Sequence, residues 1–182
     1  MESSQEELDK YYMKLSIEEA NKSIPLESAY CVGAVLVDPK TNTLLATGFS
    51  RELPGNTHAE ECCFLKIEAK EKEKEKEKEK EKEKEKEKEK EKFSESVKEI
   101  IQGSTIYTTM EPCSKRLSGK TPCVEHILHY GISRVVMGVK EPQNFVHCTG
   151  VQLLRDKGIE VTILDGFEEE CLKPNQHLNL KL

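Results

Sequence analysis

The hydrophobic pattern of the N-terminal part predicts one helix followed by a β-hairpin. Within residues 5–22 an apolar stripe recurs at helical spacing and charged residues fill the opposite face. This stripe is formed by Tyr12, Leu15, Ile17 and Ala20. Two short apolar runs follow at residues 29–38 and 43–50, and the sequence PKTN between them is typical of a turn.

The remaining chain alternates between helical and strand-like segments. A helix is predicted to start at Thr57, because Thr57 and Glu60 have the spacing of a capping box. Further strands are predicted at residues 105–110, 133–140 and 159–166, and further helices at residues 97–102, 123–131, 150–158 and 167–174. Helices separate the three later strands, so we expect these strands to be parallel. The sequence predicts a three-layer α/β/α domain with a mixed, mainly parallel five-stranded sheet.

Residues 71–92 form a low-complexity segment in which Glu and Lys alternate. In a helix this alternation places like charges at i,i+4 and opposite charges at i,i+3, and the two effects nearly cancel. The segment also offers no apolar face for docking. We therefore expect a disordered or frayed-helical insertion within a single domain that spans residues 1–182.

The charge balance excludes several classes of partner. A net charge of −6 gives no electrostatic reason to bind nucleic acid or an anionic membrane surface. No apolar run approaches the length of a membrane span, and the polar, acidic N-terminal sequence predicts no export signal. With seven cysteines, an odd number, we expect a reducing compartment, namely the cytoplasm, with the nucleus as an additional location.

Three residues have the identity and placement of zinc ligands. His58 and Cys123 stand at predicted helix starts, and Cys113 follows a predicted strand. A thiol at a helix start has a lowered pKa, which favours the metal-binding thiolate. One imidazole and two thiolates suit Zn²⁺ and leave its fourth position for water, so we expect one zinc ion per chain. Glu60 stands two residues after His58 and is the candidate acid/base.

Other interpretations of these residues remain open. Glu60 could serve only as the partner of Thr57 in the capping box. A fourth ligand, such as His147 or Cys148, could close the metal site and make it purely structural. We expect core or surface positions, not ligation, for the remaining cysteines and histidines, which are Cys31, Cys62, Cys63, Cys171, His126, His129 and His177.

The motifs HAE, EPC and a second PC together resemble the zinc-dependent cytidine deaminase-like superfamily, whose signature is H-x-E…P-C-x-x-C. Nine residues separate Cys113 from Cys123, where most members have two. In this longer gap and in the stretches SAYCVGAVLVD, SRELPGNTHAEECC and GVKEPQNFV, the chain is similar to the deaminases of riboflavin biosynthesis, in particular their fungal stand-alone group.

The resemblance implies a cytidine deaminase-like fold, zinc on His58, Cys113 and Cys123, and Glu60 as proton shuttle. It implies hydrolytic loss of an exocyclic amino group from a phosphorylated ribitylamino or ribosylamino diaminopyrimidinone. Candidates for binding this small pyrimidine are Arg51, Asn56, Lys115, Arg116 and Lys120. We also expect a homodimer. The alternative substrate is a cytosine nucleotide or a tRNA adenosine.

Overall fold

The structure is a computed structural model and describes residues 4–79, 95–142, 144–145 and 148–180. Five strands form one sheet in the order β2-β1-β3-β4-β5. Their bounds are β1 Gly33–Asp38, β2 Thr43–Phe49, β3 Thr105–Met110, β4 Arg134–Val139 and β5 Glu160–Ile163. β1 pairs antiparallel with β2 and β3, whereas β3, β4 and β5 are parallel, so β1 runs opposite to the other four. The predicted mixed sheet is confirmed.

Helices cover both faces of this sheet. Their bounds are α1 Gln5–Ala20, α2 Ala59–Glu79, α3 95–101, α4 Cys123–His129, α5 Gly150–Asp156 and α6 Glu168–Leu172, followed by a 3-10 turn at Lys173–Asn175. One apolar cluster joins the sheet to α2, α3, α4 and α5, and a second joins it to α1 and α6. The three-layer α/β/α prediction is therefore confirmed.

Strand β1 shows how one short segment supports both layers. Ala34 and Leu36 belong to the first cluster, while Val35 and Val37 belong to the second. Successive side chains of a strand point to opposite faces, so a strand buried on both faces has an unbroken apolar sequence. This accounts for the unbroken run GAVLV in the sequence.

The predicted first strand, residues 29–38, begins only at Gly33. Before that point two backbone N–H groups bond to side chains, although the carbonyl oxygen of Val32 still accepts from the N–H of Ser50 at 2.9 Å. The N–H of Cys31 donates to Oδ1 of Asn175 at 2.6 Å, and the N–H of Val32 donates to Oγ of Ser50 at 2.9 Å. Ala29, Tyr30 and Val32 of this segment line the cleft described below.

A glycine on β2 sets the position of α2. A Cβ atom on Gly48 would lie 2.2 Å from the carbonyl oxygen of Ala59, the first residue of α2. Any side chain at position 48 would therefore push the start of the helix off the sheet. This close approach holds the residues around His58 against the end of β2.

The Glu/Lys repeat begins inside α2. Residues 71–79 continue that helix, while residues 80–92 lie outside the described residues, so the disordered or frayed-helical insertion stays a prediction. In the part of the chain that the structure describes, no helix combines the length and apolar character needed to cross a membrane.

Candidate active site

The three predicted metal ligands lie together beyond the carboxyl end of β3. Nδ1 of His58 lies 3.5 Å from Sγ of Cys113 and 3.5 Å from Sγ of Cys123, and the three donor atoms all lie within 4.8 Å of one another. A tetrahedral zinc ion with Zn–S near about 2.3 Å and Zn–N near about 2.0 Å separates sulfur from nitrogen by roughly 3.5 Å. Donor chemistry and donor spacing both fit zinc.

Local structure brings these donors together. His58 precedes α2, and its carbonyl oxygen accepts a helical hydrogen bond from the N–H of Cys62 at 3.0 Å. Cys123 is the first residue of α4. Its backbone N–H donates to Sγ of Cys113 at 3.3 Å, so the start of α4 holds the sulfur that follows β3.

The surroundings of Cys113 favour its thiolate. A hydrogen bond with Cys123, together with the nearby His58, outweighs burial and lowers the pKa of Cys113 to about 4. The thiolate is the form of cysteine that binds metals. The neighbouring protein groups therefore stabilise the negative charge of Cys113 by themselves, without a metal ion.

The predicted capping box of Thr57 and Glu60 is wrong. The hydroxyl of Thr57 donates to the carbonyl oxygen of Leu53 at 2.9 Å and accepts from the backbone N–H of Leu53 at 3.2 Å, not from that of Glu60. The carboxylate of Glu61, not that of Glu60, accepts from the backbone N–H of His58 at 3.1 Å. The capping contact is therefore shifted by one residue along the chain, because the helix begins at Ala59.

Glu60, without a capping role, faces the donor cluster. Its Oε2 accepts from Sγ of Cys123 at 3.4 Å, and its Oε1 accepts from Oγ1 of Thr108 at 3.3 Å. The residue is only 3% exposed. Burial, and then the charge of Cys113, raises the pKa of Glu60. A raised pKa suits a carboxyl group that takes up and returns a proton.

An open cleft leads from the surface to this cluster. It encloses about 850 Å³, its open mouth included. Tyr30 and Phe145 line the cleft with their rings in edge-to-face contact at a centroid distance of 4.8 Å. The hydroxyl of Tyr30 donates to the carbonyl oxygen of Pro142 at 2.7 Å, which fixes the ring. Such a wall suits a flat aromatic ligand.

Two carboxylates that the sequence did not single out also line the cleft. Glu111 accepts from the backbone N–H of Val151 at 2.9 Å and from that of Glu141 at 3.3 Å, and so holds the chain after β4 in place. Burial raises the pKa of Glu141 to about 7. Its Oε2 is buried and finds no hydrogen-bond partner among the described residues. An unpartnered buried oxygen is costly, which makes Glu141 a candidate to bind a ligand.

The predicted substrate-binding cations differ in their surroundings. The guanidinium of Arg51 donates to the carbonyl oxygens of Ile24 at 2.7 Å and Tyr30 at 3.0 Å. Nζ of Lys120 donates to the carbonyl oxygen of Gly55. Both groups therefore bind loop backbone.

The other three candidates, Lys115, Arg116 and Asn56, line the cleft. Lys115 is exposed and makes no hydrogen bond or ion pair with the described residues. The side chain of Arg116 is 1% exposed and forms an ion pair with Glu61. Asn56 is exposed, and its backbone carbonyl oxygen accepts from Arg116 at 2.6 Å. Substrate binding by these five residues stays a prediction.

The remaining cysteines stand apart from the donor cluster. Cys31, Cys62, Cys63 and Cys171 are buried, as expected for core residues. Among the described residues, the donor cluster comprises His58, Cys113 and Cys123 without Cys148, whose Sγ lies 3.5 Å from the carbonyl oxygen of Pro112. His147, the other considered fourth ligand, lies outside the described residues.

A three-layer α/β/α fold with a His, two Cys and an adjacent Glu at the end of its sheet defines the class of zinc-dependent deaminases. The family described as the cytidine and deoxycytidylate deaminase zinc-binding region matches residues 6–139. The chain belongs to this family.

Two individual relatives match most of this chain. A diaminohydroxyphosphoribosylamino-pyrimidine deaminase of Schizosaccharomyces pombe is 40% identical over 162 residues, which is 89% of this chain and 33% of the relative. The riboflavin biosynthesis protein RibD of Aquifex aeolicus is 32% identical over 93% of this chain and 38% of its own length. This chain thus spans about a third of the length of these two proteins.

Among solved structures, the Rib2 deaminase of Aspergillus oryzae in complex with DARIPP is similar, with a TM-score of 0.71 and 30% identity. The match covers 92% of this chain and 89% of that one. The dCMP deaminase of cyanophage S-TIM5, with a TM-score of 0.55 and 20% identity, shares the fold.

Proposed function

We propose that this chain is a zinc-dependent hydrolytic deaminase that binds one zinc ion. Its substrate would be a diaminopyrimidinone with a phosphorylated ribitylamino or ribosylamino chain, in riboflavin biosynthesis. The observation that carries the proposal is the convergence of three zinc-type donors on the buried Glu60 in an open cleft. The relatives named for this step, and the similar Rib2 structure with DARIPP, support the choice of substrate.

In this proposal His58, Cys113 and Cys123 hold the ion. When bound, zinc supplies Lewis acidity, which makes water nucleophilic at neutral pH. Glu60 takes a proton from the attacking water and delivers it to a ring nitrogen. Glu60 then takes the second proton, from the hydroxyl group formed at the ring carbon, and passes it to the departing amino group. The water oxygen becomes the new carbonyl, the carbon–nitrogen bond breaks, and ammonia leaves.

Other cleft residues would position the substrate. The rings of Tyr30 and Phe145, which line the cleft, offer apolar surface to the pyrimidine ring. The unpartnered oxygen of Glu141 could accept a hydrogen bond from a ring or exocyclic N–H, which a diaminopyrimidinone supplies. Lys115 carries an ammonium group without another partner in the described chain, and we assign it to the phosphate.

Two further sequence predictions are part of the proposal. We infer a homodimer and a cytoplasmic location, and the weakly acidic surface charge gives no reason for a nucleic-acid partner. Sedimentation of the purified chain tests the first, and imaging of the tagged chain in its own cell tests the second.

The test is ammonia release from a substrate panel. The panel contains ribityl and ribosyl diaminopyrimidinones, each with and without phosphate, together with dCMP, cytidine and an adenosine-containing tRNA stem-loop. We expect turnover of a phosphorylated diaminopyrimidinone only. Turnover of dCMP or RNA instead would assign the chain to another zinc deaminase. Zinc binding without turnover of any compound, by a chain that keeps its fold, would favour a structural metal module.

A further inference from the structure

Arg116 is a buried cation that connects the segments carrying the metal ligands. Its side chain is 1% exposed and lies 2.8 Å from Glu61 through Nη1. The same nitrogen donates to the carbonyl oxygen of Thr121 at 3.3 Å, and Nη2 donates to that of Asn56 at 2.6 Å. One guanidinium group therefore bonds to three acceptors, which are the carboxylate of Glu61 and the carbonyl oxygens of Thr121 and Asn56.

Each of these contacts lies within three residues of a metal ligand, and Glu61 follows His58 by three residues. Asn56 stands two residues before His58, and Thr121 stands two residues before Cys123. Arg116 itself follows Cys113 by three residues. The guanidinium therefore spans the two loops from which all three donors project.

Glu61 completes the connection to the imidazole. The oxygen that binds Arg116, Oε2, also accepts from the backbone N–H of His58 at 3.1 Å. The carboxylate thus joins the guanidinium directly to the ligand's own backbone. Glu61 is itself largely buried, with 13% of its side chain exposed. The partners of Arg116, which are Glu61, Asn56 and Thr121, all lie outside the two apolar clusters.

This geometry requires arginine. A buried charge is costly unless it is paired and hydrogen-bonded. The planar guanidinium presents donors in a fixed fork that can meet acceptors on different sides, whereas the lysine ammonium is a single point on a flexible stem. Lysine at this position could keep the ion pair but could not hold both carbonyl oxygens in the same geometry.

We propose that Arg116 and Glu61 are positioning residues that preassemble the zinc site. They hold the His58 loop against the Cys113–Cys123 loop, so that the imidazole and both sulfurs converge before the ion arrives. The inference rests on the zinc site of the proposed function and adds a reason why its donors are in place. Mutation of a residue that orients a metal ligand lowers metal affinity or activity by about 10–100-fold.

The experiment measures zinc affinity of the metal-free chain by competition with a chromophoric chelator. We expect Arg116→Lys and Glu61→Gln each to raise the Kd for zinc about 10–100-fold. Because both residues belong to one hydrogen-bond network, their effects should not add, and the double variant should bind zinc more tightly than the product of the two single effects predicts. Arg155→Lys is the matched control, since Arg155 is exposed and lies on α5, and its Kd should equal that of the unsubstituted chain.

Thermal unfolding of the same metal-free samples separates positioning from plain structural support. Loss of the buried pair should lower the unfolding temperature of the variants, so a positioning role predicts a raised Kd at a temperature where each metal-free variant is still fully folded. If Arg116→Lys fails to fold, the near-isosteric Glu61→Gln provides the comparison. Equal zinc constants in folded variants would overturn this inference alone. Absence of zinc binding by the unsubstituted chain would overturn the proposed function, and this inference with it.

Discussion

The carboxylate of Glu61 accepts a hydrogen bond from the backbone N–H of His58 at 3.1 Å. This contact supplies the helix-capping interaction that Glu60 would otherwise make. Two adjacent glutamates at the start of α2 consequently have different surroundings. Glu61 fixes the backbone of a metal ligand, and Glu60 faces the sulfur of Cys123 with a raised pKa. The division of roles follows from where the helix begins.

Replacement of Glu60 by glutamine should abolish turnover without loss of metal. Gln has the same shape but cannot carry a proton between water and substrate, so we expect kcat to fall about 10²–10⁴-fold. Zinc content and thermal stability should change little. Glu18→Gln, an exposed site on α1, serves as the control. Retention of more than a tenth of the activity in Glu60→Gln would contradict the assigned role.

Thr108 should matter through its hydroxyl alone. The hydroxyl is buried and lies 3.3 Å from Oε1 of Glu60 and 3.1 Å from the carbonyl oxygen of Met110. Thr108→Val keeps the volume and removes the donor, so we expect kcat to fall about tenfold, as for loss of a hydrogen bond to a charged group worth about 1.5 kcal/mol. Thr108→Ser keeps the donor and should retain most of the rate. Equal rates in both variants would show that the hydroxyl does not orient Glu60.

Lys115 should affect only phosphorylated substrate. Loss of one charge-assisted hydrogen bond of about 1.5 kcal/mol predicts a rise in KM of about tenfold for the phosphorylated pyrimidine in Lys115→Ala. The kcat/KM for the dephosphorylated compound should not change. Lys157→Ala, an exposed lysine after α5, is the control. A KM that rises equally for both compounds would point to a change in the loop and not to phosphate binding.

Asp9 and Arg134 should control stability at acidic pH. Arg134 forms bonds of 2.7 and 2.8 Å with the two oxygens of Asp9 across α1 and β4. Burial alone would raise the pKa of Asp9, but hydrogen bonds from Arg134, Gln5 and Tyr107 outweigh it and lower the pKa. Because the folded pKa lies below the unfolded one, this contribution is present above the unfolded value and is lost as pH falls through the folded value.

Urea unfolding across pH measures this effect. Breaking a buried pair predicts that Asp9→Asn loses about 3 kcal/mol at pH 7. The difference between the unsubstituted chain and the variant should shrink below about pH 4, where the unfolded Asp begins to take up a proton. A difference that stays constant from pH 7 to pH 3 would contradict the assignment of the pair.

Much of the fold could be predicted because its signals are local. The unbroken apolar run of β1 and the helices between β3, β4 and β5 determine the layers and strand directions. The sequence predicts the N-cap of α2 one residue too early, at Thr57. The hydroxyl of Thr57 instead bonds to the backbone of Leu53, and the sequence does not reveal this turn contact. A Glu three residues after His58 was the available signal for the observed contact.

The metal donors of the site could be predicted from the sequence, but the residues that surround and position them could not. His58, Cys113 and Cys123 have rare side chains in a recognisable order, whereas Thr108 is one of several threonines in a strand. The contacts of Arg116 could not be predicted, because they depend on two loops that meet only in the folded chain. Glu141 and Glu111 resemble ordinary surface acids until burial and the loop after β4 are known.

X-ray absorption at the zinc edge, on the chain loaded with one equivalent of zinc, tests the central claim most directly. The account predicts one tightly held ion per chain with two sulfur ligands at about 2.3 Å and two nitrogen or oxygen ligands at about 2.0–2.1 Å, one of them exchangeable water. A spectrum with three or more sulfurs, a second histidine in place of water, or no bound ion would contradict it.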